Sequence, residues 1–489
     1  MVVKKQPLLP YHALPFASTR TMDQDTDTRV GMLGALSQGG WGPAAVLSLG
    51  VWLHAADGLM ATTIMPNAVE DIGGLAYIYW TIALYELGSI VAGAATGLLV
   101  MRFGLRPAMS VAALIYAAGC VASAVAPDMA AMLAGRLVQG FGGGWMVALS
   151  HVGVTRLYPA RLWPGLIALI SAVWGVSSLV GPTIGGAFAT AGLWRGAFWA
   201  FAAQAVVLAA LIPLALRPVP PAAGEAGSLP WRRLGVFAAG VLLLLTAGVC
   251  DNPLEALAMA TLGLAVLAFA FRLEDRSPRR MFPVRTLDWR TPWGPGFVTI
   301  LLLSMCTISF GIYGPLFMQR MFGATPLAAG LLLALESVSW SVAAVTLAGA
   351  GRVLEAHLIR WGTAAIVAGT AGFAVTMPSG PLLALVPWAI LQGAGFGAAW
   401  AFIMRRIVER VAEDDRERAA SSVPTFQRLG YALGAAMAGI VVNGTGIAEA
   451  TTVEAFRVPA FWAFAAFVPL GGIGILAAWR LAGPTEQGR

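Results

Sequence analysis

An all-α membrane protein of fourteen transmembrane helices is the fold this sequence predicts, and three observations carry the prediction. Fourteen apolar stretches of roughly 18 to 29 residues follow one another along the 489-residue chain, each long enough to cross ~30 Å of hydrocarbon at 1.5 Å rise per residue. The composition is 58% hydrophobic and only 11% charged, too little polar surface to coat a soluble globule of this length. A Gln-Gly-x-Gly-x-Gly frame occurs at Gln139 to Gly144 and again at Gln392 to Gly397, 253 residues later, so two halves share one plan.

Taken in order, residues 1–43 form a tail in which Lys4, Lys5, Arg20 and Arg29 stand among prolines and polar residues. No apolar core with a cleavage site follows, so a signal peptide is not indicated. A first half over 44–216 holds spans 44–66, 76–100, 107–126, 129–155, 163–191 and 195–216. Residues 217–292 hold two linker spans, 231–249 and 254–271, separated by an Asp251-Asn252-Pro253 turn that continuous helix does not tolerate, and then a basic loop. A second half over 293–480 holds spans 293–318, 326–350, 359–377, 381–407, 420–442 and 458–478, and 481–489 form a second tail.

With the amino terminus inside, all but five of the 31 Lys and Arg fall on the cytoplasmic side. The exceptions are Arg195, Arg320 and Arg457 outside and Arg136 and Arg428 within spans. The positive-inside rule then places both termini in the cytoplasm of a multi-pass cell-membrane protein; a bacterial inner membrane is the one expected. The basic cluster around Arg276, Arg279, Arg280 and Arg285 reads as a topology anchor against lipid headgroups. Basic residues spread through short loops, despite a net charge of +7, exclude a nucleic-acid face. Cys120, Cys250 and Cys306 lie in or beside apolar runs without CxxC spacing, so they are small core residues, and neither a metal nor a cofactor is expected.

Four charged residues stand where lipid rejects them. Asp57, Glu86, Arg136 and Glu336 each lie ~10 to 15 Å below the outer boundary of their spans, so each is expected to face a cavity or a partner. A carboxylate at that depth can bind a proton in one access state and release it in another, which makes Asp57, Glu86 and Glu336 candidate proton carriers. Arg136, always charged, is their candidate partner. His54, three residues before Asp57, can share a helix face and join the relay. Shifting Glu336 back by the repeat offset lands one helical turn from Glu86, suggesting matching faces of the two halves. Among 17 tryptophans, Trp145, Trp174, Trp340 and Trp400 lie deep enough to line an apolar cavity, and Gln139 and Gln392 are polar candidates for the same lining. Arg428, with Gln427, is taken as a structural polar entry to span 13.

Several motifs together resemble the major facilitator superfamily, specifically its fourteen-helix drug:proton antiporter branch. The stretch from Gly97 to Arg106 is similar to that family's signature loop, with Gly97, Arg102, Gly104 and Arg106 in place. It departs at Met101, where relatives carry an aspartate that latches the loop to the other half. Asp57, nine residues before Pro66, is similar to the family's helix-1 motif, and Arg136-Leu137-Val138-Gln139-Gly140 to its helix-4 motif. Gly181, Pro182, Gly185 and Gly186 resemble the antiporter motif of exporters, and would give a smooth, bent surface for a rocking half. The resemblance implies two six-helix halves plus two linker helices, acting as a monomer in the lipid bilayer. It implies proton-coupled export of hydrophobic or amphipathic small molecules by alternating access. A metabolite symporter or facilitator, or an exporter of a lipid or cell-envelope intermediate, is the alternative. No HExxH, GxSxG or GxxxxGK[ST] pattern is present, so neither an enzyme nor direct ATP coupling is expected.

Overall fold

Residues 40–159, 162–217, 230–277 and 280–483 are described in a computed structural model. Tail residues 1–39 and 484–489, the stretch 218–229 and Arg279 lie outside them. Every regular element among the described residues is a helix. A first group comprises α1 (Trp41–Ile72), α2 (Trp80–Phe103), α3 (Leu105–Ala124), α4 (Met129–Leu157), α5 (Trp163–Thr190) and α6 (Trp194–Ala215). The pair α7 (Trp231–Ala247) and α8 (Pro253–Asp275) follows. A second group comprises α9 (Gly294–Phe322), α10 (Pro326–Leu347), α11 (Arg352–Thr376), α12 (Val386–Arg410), α13 (Arg416–Gly444), α14 (Val453–Ala465) and α15 (Val468–Ala482). Among the described residues, eleven segments are long and apolar enough to cross a membrane. Of the rest, α7 has only 17 residues, and α4 and α13 are diluted by polar side chains and glycine.

Local chemistry sets the boundaries. Asp128, Asn252, Thr325 and Thr452 each cap the helix that follows by accepting a backbone N–H, and Asn252 does so within the predicted Asp-Asn-Pro turn, from Leu254 N at 2.9 Å. Gly104, at φ 79°, makes the one-residue reversal between α2 and α3 that a side chain would strain. Several predicted boundaries shift, and three of the shifts have one cause. α1 runs past Pro66 to Ile72, α11 starts at Arg352 and α13 at Arg416, because polar residues at these ends continue the helix beyond its apolar part. The predicted last span is two helices, since Pro469 lacks the N–H that would bond the Ala465 carbonyl.

Glycine brings the helices together, and the two groups repeat the arrangement. A Cβ on Gly140 or Gly144 would strike the backbone of Tyr85 or Ser89 on α2, and one on Gly142 would strike Tyr116 on α3. In the second group Gly393 and Gly397 meet the Glu336 and Trp340 carbonyls on α10, and Gly395 meets Gly362 on α11. Bare glycine surfaces allow backbones to touch, which supplies dispersion contacts where lipid offers no hydrophobic drive. This pairing corrects one expectation: the counterpart of Glu336 is Tyr85, so the two glutamates are about 100° apart around equivalent helices.

Between the groups, the polar contacts among the described residues lie at mid-depth and at the end at which α1 finishes, hereafter the far end. There Arg320 pairs with Glu70 at 2.9 Å, Leu327 N donates to Thr190 Oγ1 at 3.3 Å, and Asn443 Nδ2 donates to the Ala76 carbonyl at 2.8 Å. Every hydrogen bond and ion pair that joins the two groups among the described residues lies at one of these two levels. The hairpin α7–α8 is tied to both groups at the far end, where Leu245 accepts from Tyr79 and Gly248 from Asn443. At its other end Phe237, Phe271 and Phe282 interlock with Phe426 and, through it, Phe297 of the second group.

Candidate functional site

Asp57 lies midway along the 32-residue α1, and its carboxylate is wholly enclosed. Arg136, two turns into α4, reaches it with Nη1 to Oδ2 at 2.9 Å, and both side chains are 0% exposed. Gln139 Nε2 donates to the other carboxylate oxygen at 3.2 Å, while its own oxygen accepts from Arg136 and from Ser123 Oγ. Arg136 Nε donates to the Thr81 carbonyl, and the Tyr85 ring covers the guanidinium at 4.2 Å. Such a pair is held by hydrogen bonds on nearly every side, which is what burial of two charges requires.

The Tyr85 ring is also the bridge outward. It stacks on His54 with centroids 5.1 Å apart, and its hydroxyl donates to the His54 carbonyl at 3.0 Å while lying 2.8 Å from Nδ1. Arg428 Nη1 stands 2.9 Å from His54 Nε2. A guanidinium only donates, so Nε2 accepts and the network assigns the proton of a neutral His54 to Nδ1, which donates to Tyr85. Arg428 continues to Glu86 at 3.5 Å and to Ser89 Oγ. Side-chain contacts therefore run without a break from Asp57 in the first group, through the neutral Tyr85 and His54, to Arg428 in the second.

The predicted residues separate accordingly. Asp57, Arg136, Gln139, His54 and Glu86 come together. Glu336 is half-buried on α10 with no ion pair or hydrogen bond among the described residues, although both it and Glu86 act electrostatically on Tyr431 of α13. Gln139 and Gln392 are not cavity linings: Gln139 serves the ion pair, and Gln392, 1% exposed, donates to Thr370 within its own group. Trp174, 39% exposed, meets His54 edge-on. Trp145 is buried against the core, and Trp340 and Trp400 pack with Phe396, Trp400 and Phe396 lining a narrow apolar crevice of the second group.

Of the motif residues, Gly181 and Gly185 meet backbone of α1, at Ala56 and Met60, rather than the second group. Gly186 meets Leu327, and the Pro182 carbonyl meets Gly330, so only this part of the motif touches α10. Arg102 is exposed and Arg106 half-exposed beside the Gly104 turn, while the side-chain surroundings of Gly97 and Met101 lie outside the described residues.

Two members of the network had no sequence signal strong enough to find them. Tyr85 is one aromatic in an apolar run. Arg428 is a correction: α13 begins twelve residues before it, so it is no polar helix entry but the second group's contribution to the site.

Comparison with known proteins bears on the family and the fold. The chain is 29% identical over 460 residues to the "Probable multidrug-efflux transporter Rv1634" of Mycobacterium tuberculosis, covering 90% of this chain and 94% of that protein. It is 22% identical to the multidrug efflux pump SdrM of Staphylococcus aureus, over 60% and 66% of the two chains. The fold matches the inward-open xylose transporter XylE of E. coli with a TM-score of 0.60 at 15% identity, over 91% and 96% of the chains. It also matches a POT family transporter bound to 5-aminolevulinic acid with a TM-score of 0.65 at 14% identity, over 90% and 96%. The Major Facilitator Superfamily model matches residues 47–379, and the chain belongs to that family as a multi-pass membrane transporter rather than an enzyme.

Proposed function

We propose that this protein is a proton-driven exporter of hydrophobic or amphipathic small molecules, in which the two helix groups rock as six-span lobes with α7 and α8 as two further spans beside them. Both termini face the cytoplasm of a bacterial cell, and the far end faces outward. The names of the relatives support efflux, and the distribution of Lys and Arg supports the orientation. The observation that carries proton coupling is the enclosed Asp57–Arg136 pair, joined through Tyr85 and His54 to a charge on the opposite lobe. In this arrangement a change of protonation on one lobe alters the contacts that hold the other. Asp57 is sealed here, whereas the Glu86 side chain keeps 14% exposure, so Glu86 is the point at which protons exchange with water and Asp57 the deeper acceptor. Glu336 supplies a further carboxylate beside Trp340 and Tyr431.

Purified protein in liposomes with an imposed pH gradient tests the reading. An amphipathic dye is expected to accumulate in wild type, with Asp57→Asn lowering gradient-driven flux at least ~10-fold and Glu86→Gln or Glu336→Gln lowering it less. Addition of cargo to everted vesicles is expected to dissipate their pH gradient, as export in exchange for protons demands. Unchanged gradient-driven flux in all three variants would show that these carboxylates carry no protons.

A further inference from the structure

Resting on the rocking of the two groups proposed above, we infer that the far end of the α7–α8 hairpin forms, with α13, a socket for Tyr79 that holds the far end shut, and that the hairpin travels with the second group when it opens. Two junctions close the far end, α5 with α10 and α13 with α2, and they are built on one frame. Gly186 and Thr190 of α5 stand 253 residues before Gly439 and Asn443 of α13, the offset of the internal repeat. Thr190 Oγ1 accepts from Leu327 N, and Asn443 Nδ2 donates to the Ala76 carbonyl, so each polar residue ties down backbone at the start of the opposing group's second helix. The glycines differ in what they meet. A Cβ on Gly186 would fall on the backbone of Leu327, whereas one on Gly439 would fall on the ring of Tyr79. One junction closes backbone to backbone; the other closes around an aromatic side chain.

Tyr79, at the entry to α2, is 0% exposed. Its ring lies on Gly439, and its hydroxyl lies against Gly248 at the end of α7, where a Cβ would strike both that hydroxyl and the Ile440 N of α13. The hydroxyl donates to the Leu245 carbonyl at 2.7 Å, and Asn443 Nδ2 donates to the Gly248 carbonyl at 2.7 Å as well as to Ala76. α7 has only 17 residues, about 25 Å of helix, so its last carbonyls end within the protein and need donors from outside the helix. Tyr79 and Asn443 supply them. The hairpin's other ties run to the second group: Phe237, Phe271 and Phe282 hold Phe426, and Ser422 Oγ donates to the Met281 carbonyl in the loop after α8. At the far end, Tyr79 to Leu245 is the only hydrogen bond between the hairpin and the first group among the described residues. Parting α13 from α2 therefore withdraws the Tyr79 ring and breaks the bonds at Leu245 and Ala76, while Asn443 keeps Gly248 and the phenylalanines keep the hairpin's other end.

Nitroxide labels on cysteines at Leu193, Val453 and Leu254, exposed far-end positions of the first group, the second group and the hairpin, are placed in pairs in a background without the three native cysteines. Pulsed electron spin resonance of the full-length protein in lipid nanodiscs then reads their separations. Tyr79→Ala and Gly439→Val are each expected to raise the open-to-closed ratio of the 193/453 pair at least about tenfold, and Tyr79→Phe, which keeps the ring and loses one hydrogen bond, about threefold. In the opened population the 254/193 pair is expected to lengthen while the 254/453 pair keeps its distance. Ratios within about twofold of wild type in both Tyr79→Ala and Gly439→Val overturn the socket, and lengthening of 254/453 with 254/193 unchanged overturns the hairpin's allegiance. Should Gly439→Val fail to fold, Tyr79→Ala, which only empties the socket, decides. Either failure leaves the exporter reading intact if wild type still moves cargo under a pH gradient. Absence of that flux removes the exporter reading whatever the label distances show.

Discussion

Arg136 is among the largest wholly buried side chains described, and its tolerance depends on Asp57. Removing one member of a buried pair leaves an uncompensated charge and costs ~3 to 5 kcal/mol, whereas replacing both by neutral groups costs much less. Asp57→Leu is therefore expected to lower the Tm in detergent at least about twice as far as Asp57→Asn/Arg136→Gln, and equal losses would mean that Arg136 is not held mainly by charge. Asp57 and Arg136 were legible in the sequence because an ionised group within an apolar span is costly enough to require a partner. Glu336 was equally visible, but depth alone does not say which way a side chain turns, and here it turns away from the pair. Arg428 was visible within its span but was given a structural role, because α13 is the most polar of the long helices and a basic residue within it raised no contradiction.

At the scale of helices, glycines set where α5 lies. Gly181 and Gly185 let it lie on α1, and Gly186 lets its far end touch Leu327 of α10, where Leu327 N bonds Thr190 Oγ1. A side chain at 186 has no room between those backbones. In a background without Cys120, Cys250 and Cys306, cysteines at Thr190 and Leu327 are expected to crosslink readily, and Gly186→Leu to reduce the yield at least ~10-fold. An unchanged yield would mean that α5 and α10 meet elsewhere. The positions of the helices were readable from apolar length, and the α7–α8 turn from Asp-Asn-Pro. The ends were not, because α1, α11 and α13 continue through polar residues that hydropathy discounts, and the break before α15 depends on a single missing N–H at Pro469.

Over the whole molecule, the proposed orientation rests on basic residues alone, so it can be checked directly. In the same cysteine-free background, Arg285→Cys, in the loop after α8, and Arg457→Cys, near the start of α14, carry exposed side chains at opposite ends. An impermeant maleimide is expected to label Arg457→Cys in intact cells and Arg285→Cys only in everted vesicles; the reverse pattern would invert the molecule in its membrane. The duplicated plan was legible from two glycine frames 253 residues apart, and the structure uses both frames for the same backbone-to-backbone packing. What no repeat could disclose is where unlike residues meet across the plan, because Arg428 has no sequence tie to His54 or Glu86.

The two lines along which the helix groups meet are not alike. Along one, α2 and α13 are roofed by α7, whose final carbonyls receive Tyr79 from one side and Asn443 from the other. Along the other, α5 and α10 present Val176, Leu179, Val342 and Val345 uncovered. The two seams therefore differ in what a bilayer would touch: the hairpin stands between acyl chains and one of them, while the other meets those chains directly along its apolar side chains.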